Sequence, residues 1–141
     1  IQHKIAYCTS SNNPAKCNCG LAVRAGRDVY VINVCNGYID IGYKQCWDKA
    51  LTVKKENDFT YTIFMPYGTA VRARIDNAPF MGEEGGRVLD ISVLPSLQDR
   101  QGNSTGLCGS LNDNSVDDFD NETEFINKWK VPQDRSLFTT D

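Results

Sequence analysis

The chain has 141 residues, 40% hydrophobic and 23% charged, with a formal net charge of −3. That is the size and composition of one soluble globular domain, not of a disordered tail. A sequence pI near 5.1 argues against a nucleic-acid protein, which would show a basic face, and no apolar run is long enough to span a membrane.

In chain order, the pattern predicts strands. Residues 2–7 alternate loosely. Residues 20–24 and 28–34 are apolar and β-branched runs around Ala25-Gly26-Arg27, a hairpin signal. Residues 38–41 sit between Asn36-Gly37 and Gly42. Residues 51–54 and 59–65 flank the turn composition Glu56-Asn57-Asp58. Met65-Pro66-Tyr67-Gly68 then reverses the chain into 69–75, a period-2 strand with Arg72 and Arg74 on one face. Residues 78–86 read as the most flexible loop, and 87–94 as one more strand. Residues 122–130 fit a short C-terminal helix with Phe125, Ile126 and Trp129 on one side. Short strands about every eight to twelve residues predict a single all-β domain over 1–141, an antiparallel sandwich or meander.

The six cysteines, Cys8, Cys17, Cys19, Cys35, Cys46 and Cys108, fit a disulfide framework and an oxidising compartment. Zinc needs two ligand pairs, whereas this chain offers Cys17 and Cys19 and its single histidine, His3. The expected pairing is Cys35 with Cys46, Cys8 with Cys17 and Cys19 with Cys108. It is one of many open to six cysteines. The sequons at Asn103 and Asn121 point to a secreted glycoprotein. The opening Ile1-Gln2-His3-Lys4 does not read as a signal peptide, so the chain is expected to be a mature segment cut from something longer.

The information for function lies in the last third. Asp113, Asp117, Asp118, Asp120, Glu122 and Glu124 fall in residues 112–124, with no Lys or Arg among them. Those six taken from 18 leave 12 acidic against 15 basic residues, so the rest of the chain is a mildly basic body with a balance of +3. Charges this dense repel unless they are solvated or neutralised. Hard oxygen donors crowded into one loop suit Ca²⁺, which takes about six to eight of them. A solvated acidic loop built on Asx turns is the other reading, and the spacing is not that of an EF-hand.

Catalytic readings find little. His3 is the single histidine and no Gly-x-Ser-x-Gly elbow exists, so a serine triad has no parts. The acidic segment has no apolar pocket to raise one carboxyl for glycoside chemistry. Trp47, Trp129 and Tyr67 suit a sugar cleft or, more ordinarily, the core. Arg72 and Arg74, with Arg24 and Arg27, form a basic stripe suited to an acidic partner or to solvent.

Gly106-Leu107-Cys108-Gly109, then Asn112, then Asp117-Asp118-Phe119 resembles the signature of the von Willebrand factor type D domain. Met65-Pro66-Tyr67-Gly68-Thr69-Ala70-Val71 is similar to that family's central hairpin. Phe125-Ile126-Asn127-Lys128-Trp129-Lys130-Val131 is similar to its closing segment. Cys17-Asn18-Cys19-Gly20-Leu21-Ala22-Val23-Arg24 resembles the branch of von Willebrand factor D and EGF domain-containing proteins. The matches run from about residue 17 to 138. The resemblance implies a β-sandwich with a structural calcium ion. Asn112, Asn114, Asp117 and Asp118 would give side-chain ligands, and Val116 a backbone carbonyl.

Two departures stand out. Family members begin with a Gly-Asp-Pro-His-like strand and a Phe-Asp-Gly hairpin that supply a further carboxylate. This sequence starts after that point, so the missing N-terminal segment of its own precursor is one expected partner. Multimerising members carry Cys-Gly-Leu-Cys; here the first position is Thr105, which makes Cys108 a structural half-cystine. The resulting expectation is a non-catalytic, calcium- and disulfide-stabilised extracellular scaffold that binds other extracellular proteins, with no nucleic acid and no membrane insertion. The alternatives are thiol–disulfide exchange through Cys108, and a growth-factor or receptor module working through a sheet face.

Overall fold

The computed structural model describes residues 1–7, 16–37, 39–78, 86–101, 105–106, 109–110, 127–128 and 130–138. Two four-stranded antiparallel meanders hold more than half of them. The first runs β1 (Gln2–Tyr7), β2 (Lys16–Ala25), β3 (Asp28–Asn33) and β4 (Asp40–Gln45) in sequential order. The second runs β5 (Thr52–Asn57), β6 (Thr60–Phe64), β7 (Ala70–Ala78) and β8 (Gly86–Leu94), again in order. A short pair, β9 (Thr105–Gly106) and β10 (Gly109–Ser110), follows the short α-helix α1 (Leu97–Gln101). The all-β class with a disulfide is therefore as the sequence predicts. Of the helix expected over 122–130, Asn127 and Lys128 are helical and most of the rest lies outside the described residues. Of the loop expected over 78–86, Ala78 and Gly86 are the paired ends of β7 and β8, and 79–85 lie outside the described residues.

Alternation fixes which side chains meet between the sheets. In β2, Cys19, Leu21 and Val23 face inward; in β3, Tyr30 and Ile32 do so, and Val34 beyond the strand joins them. Tyr61 and Ile63 of β6, Val71 and Ala73 of β7 and Leu89 of β8 meet them in one shared core. β2 lies against β8, so the two meanders form a sandwich. Leu21, Ile32 and Ile63 are wholly buried, each worth about 1.5–3 kcal/mol of transfer free energy. Lys54, Lys55 and Glu56 charge the edge strand β5, which discourages sheet extension by another chain.

The turns explain where strands start and stop. Ala25 pairs with Asp28, so the β2–β3 hairpin closes over two residues, with Gly26 at φ 58°. The strand predicted at 38–41 is shifted to Asp40–Gln45. A 3-10 turn at Cys35–Gly37, with Asn36 at φ 58° and Gly37 at φ 79°, takes up the chain first. Pro66–Gly68 forms a second 3-10 turn that reverses β6 into β7, closed by a 2.8 Å bond from the Met65 amide to the Thr69 carbonyl. Ser96 caps α1, its Oγ accepting from the Asp99 amide at 3.1 Å. The Thr69 hydroxyl donates to the Asp99 carboxylate and accepts from the Ser96 amide, tying that helix to the turn. Among the described residues no helix is long and apolar enough to cross a membrane.

The chain returns at its far end to the first sheet. Residues 130–138 carry a 3-10 turn at Gln133–Arg135, after which Leu137 and Phe138 pack on the outer face of that sheet against Ala22, Val29 and Val31.

Candidate functional site

The proposed calcium ligands Asn112, Asn114, Val116, Asp117 and Asp118 lie outside the described residues, as do Asn103, Asn121, Cys8 and Cys108. The donor set itself suits calcium: two carboxylates, two amide oxygens and a carbonyl are all hard oxygen ligands. Among the described residues no group of three or more His, Cys, Asp or Glu is placed to hold a metal ion.

The cysteines correct the expected pairing. Cys19 is bonded to Cys35, with Cα atoms 4.9 Å apart. The register dictates this choice. The Val34 amide donates to the Cys19 carbonyl at 2.9 Å, which sets the end of β3 beside the start of the buried part of β2. Cys46 follows Gln45, which pairs with Val29 at the opposite end of β3. A strand of that length separates its ends by roughly 20 Å, far beyond disulfide reach. The Cys35–Cys46 and Cys19–Cys108 links are therefore not formed, and Cys46 is an exposed free thiol. Cys17 is also disulfide-bonded, so neither cysteine of the Cys17-Asn18-Cys19 triplet is open to a metal. His3 instead shares a 2.7 Å hydrogen bond between its Nδ1 and the Asn18 side-chain oxygen.

A polar centre that sequence reasoning missed sits at the β2–β3 hairpin. Asp28 has no exposed surface, yet its carboxylate is fully engaged. Oδ1 accepts from the Trp47 amide at 2.7 Å and the Asp48 amide at 2.8 Å. Oδ2 accepts from the Ala50 amide at 2.6 Å and the Leu51 amide at 3.3 Å. Four converging N–H donors stabilise the charged form. The backbone bond from Asp48 leads, and together they hold the Asp28 carboxyl below its ordinary range against the opposing cost of burial. Asp48 is held below its ordinary range too, first by the Arg27 side chain and then by the Arg27 amide. The connection from β4 to β5, with Lys49 at φ 52°, is thus wrapped around one carboxylate. The signal was an acidic residue opening an otherwise apolar run, Asp28-Val29-Tyr30-Val31-Ile32.

Arg72 and Arg74 share a face of β7, as the period-2 pattern requires, and both are exposed. Neither guanidinium stands alone. Arg72 meets Glu56 at 3.2 Å, and Arg74 meets Asp76 at 3.1 Å and Asp90 at 3.4 Å. Arg24 and Arg27 belong to the other sheet, where Arg27 pairs with Asp48 at 2.7 Å. The four arginines form no continuous stripe, because two different meanders carry them. Trp47 and Tyr67 are 72% and 77% exposed, so neither is a core residue. They follow β4 and β6, on separate sheets.

The chain matches no protein-family profile, and it matches no solved structure.

Proposed function

We propose that this chain is a non-catalytic extracellular module of the von Willebrand factor type D kind. It would be a calcium- and disulfide-stabilised scaffold that presents surfaces to other proteins within a larger secreted or cell-surface protein. The observation that carries the reading is the block Gly106-Leu107-Cys108-Gly109 with Asn112 and Asp117-Asp118-Phe119, placed after two antiparallel meanders joined by a buried core. Asn112, Asn114, Asp117 and Asp118 would offer side-chain oxygens and Val116 its carbonyl. A bound Ca²⁺ would supply the positive charge that the six carboxylates of 112–124 lack. The disulfide at Cys19–Cys35 supports an oxidising compartment, since such bonds are rare in reducing ones.

Titration calorimetry of the full chain with calcium chloride tests the reading. One saturable site is expected, and it is lost in the Asp117→Asn, Asp118→Asn variant. No saturable heat, or the same heat in the variant, removes the ion and with it the main support for the assignment.

A further inference from the structure

The outer face of the first sheet carries an apolar strip that the chain's own Leu137 and Phe138 cover. Register places Lys4 beside Gly20, Gln2 beside Ala22, and Ala22 beside Val31. With Val29 these outward-facing residues make a shallow trough floored by small and β-branched side chains. Residues 135–138 lie in it, held by three different kinds of contact.

The Gln2 amide reads backbone. Its Nε2 donates to the Arg135 carbonyl at 3.0 Å, and its Oε1 accepts from the Leu137 amide at 2.8 Å. One side-chain amide therefore satisfies an acceptor and a donor two residues apart, independent of which side chains the segment carries. Gly20 makes room for an aromatic ring. A Cβ at that position would come within 2.9 Å of Phe138 Cε1 and 2.8 Å of Lys4 Cβ. The Lys4 ammonium lies 5.9 Å from the Phe138 ring centroid, within cation–π range. Leu137 and Phe138 together cover Ala22, Val29 and Val31.

We infer that this trough is a peptide-recognition site for a turn-forming segment carrying an aliphatic–aromatic pair, filled here in cis by the chain's own Leu137 and Phe138. A partner protein presenting such a pair competes with that strap for the seat. Recognition combines sequence-blind backbone pairing by Gln2 with side-chain selection at the Gly20 pocket, the division of labour seen in peptide-binding surfaces. The tether supplies the strap at an effective concentration of about millimolar, so a partner at lower concentration is excluded while the strap is intact. The inference does not draw on the calcium reading, and either can fail without the other.

The test uses the full chain carrying Leu137→Ala with Phe138→Ala, which removes the two side chains that hold the strap, so that its backbone also leaves the Gln2 amide. A fluorescein-labelled peptide with the sequence of residues 130–138 is titrated by anisotropy. It is expected to bind this variant at least about tenfold more tightly than the unaltered chain. Phe138→Ala in the peptide is expected to abolish binding, and Gln2→Ala added to the chain variant to weaken it several-fold. Phe138→Ala alone in the chain replaces the double variant if the latter loses its cooperative melting transition, with the same order of affinities expected. No binding to the emptied chain, equal affinity for emptied and unaltered chains, or indifference to the peptide's phenylalanine overturns the inference.

Discussion

The outer faces of the two sheets obey the same alternation and end up opposite in character. On the first sheet the outward positions include Gly20, Ala22, Val29 and Val31, and the chain's own Leu137 and Phe138 cover them. On the second sheet the outward rows read Lys54-Thr62-Arg72-Ser92 and Thr60-Arg74-Asp90 across the strands. Glu56, Asp76 and Asp90 neutralise the two arginines there. One face is closed by packing and the other by ion pairs. The first sheet also carries the Cys19–Cys35 disulfide and the Asp28 centre, while the second is tied through Thr69 to Ser96 and Asp99. Burying apolar area stabilises far more than surface ion pairs, so stability should be concentrated in the first sheet.

Asp28→Ala attacks that asymmetry hardest, because it orphans four backbone N–H groups around one site. Thermal melting should fall by roughly 15 °C. The same carboxylate gives a pH signature. A carboxyl held below its ordinary range when folded contributes stability that is fully present above its unfolded pKa of about 4. That stability is lost as pH falls through the lower folded value. The melting difference between the natural chain and Asp28→Ala should therefore be constant from about pH 5 to 7 and shrink below about pH 4.

Removing the disulfide by Cys19→Ser with Cys35→Ser frees a sequence separation of 16 residues. The chain-entropy picture assigns such a loop about 3 kcal/mol. A fall in melting temperature of about 10 °C, read by differential scanning calorimetry, is expected. Gly20→Val drives a side chain into Phe138 and Lys4, and should lower melting by about 5 °C through displacement of the strap. Arg72→Ala and Arg74→Ala should each move it by less than about 2 °C, since exposed ion pairs contribute under about 1 kcal/mol. An arginine effect as large as that of Gly20→Val would break the asymmetry.

The sequence made much of this body legible because its strands alternate cleanly. Thr69 to Ile75 shows which residues face the core, and Arg72 and Arg74 share the opposite face as expected. The run Val29-Tyr30-Val31-Ile32 shows no alternation because both of its faces are buried, one by the other sheet and one by the strap. Cysteine pairing failed for a related reason. Proximity along the chain favoured Cys35 with Cys46, whereas strand register carries Cys46 to the far end of β3. Asp28 and Gln2 were unreadable because each acts on backbone groups about 20 or more residues away, which no local pattern marks. The acidic segment 112–124 was the clearest chemical signal in the sequence, and its resemblance still carries the functional reading.

The most direct measurement of that reading is the melting temperature of the full chain in millimolar calcium and in excess EDTA, beside the Asp117→Asn, Asp118→Asn variant. A ligand bound to the folded state alone, at about a hundred times its dissociation constant, stabilises by about 2.7 kcal/mol. The natural chain is predicted to lose several degrees on chelation, and the variant none. Equal melting of the natural chain with and without calcium would contradict the account.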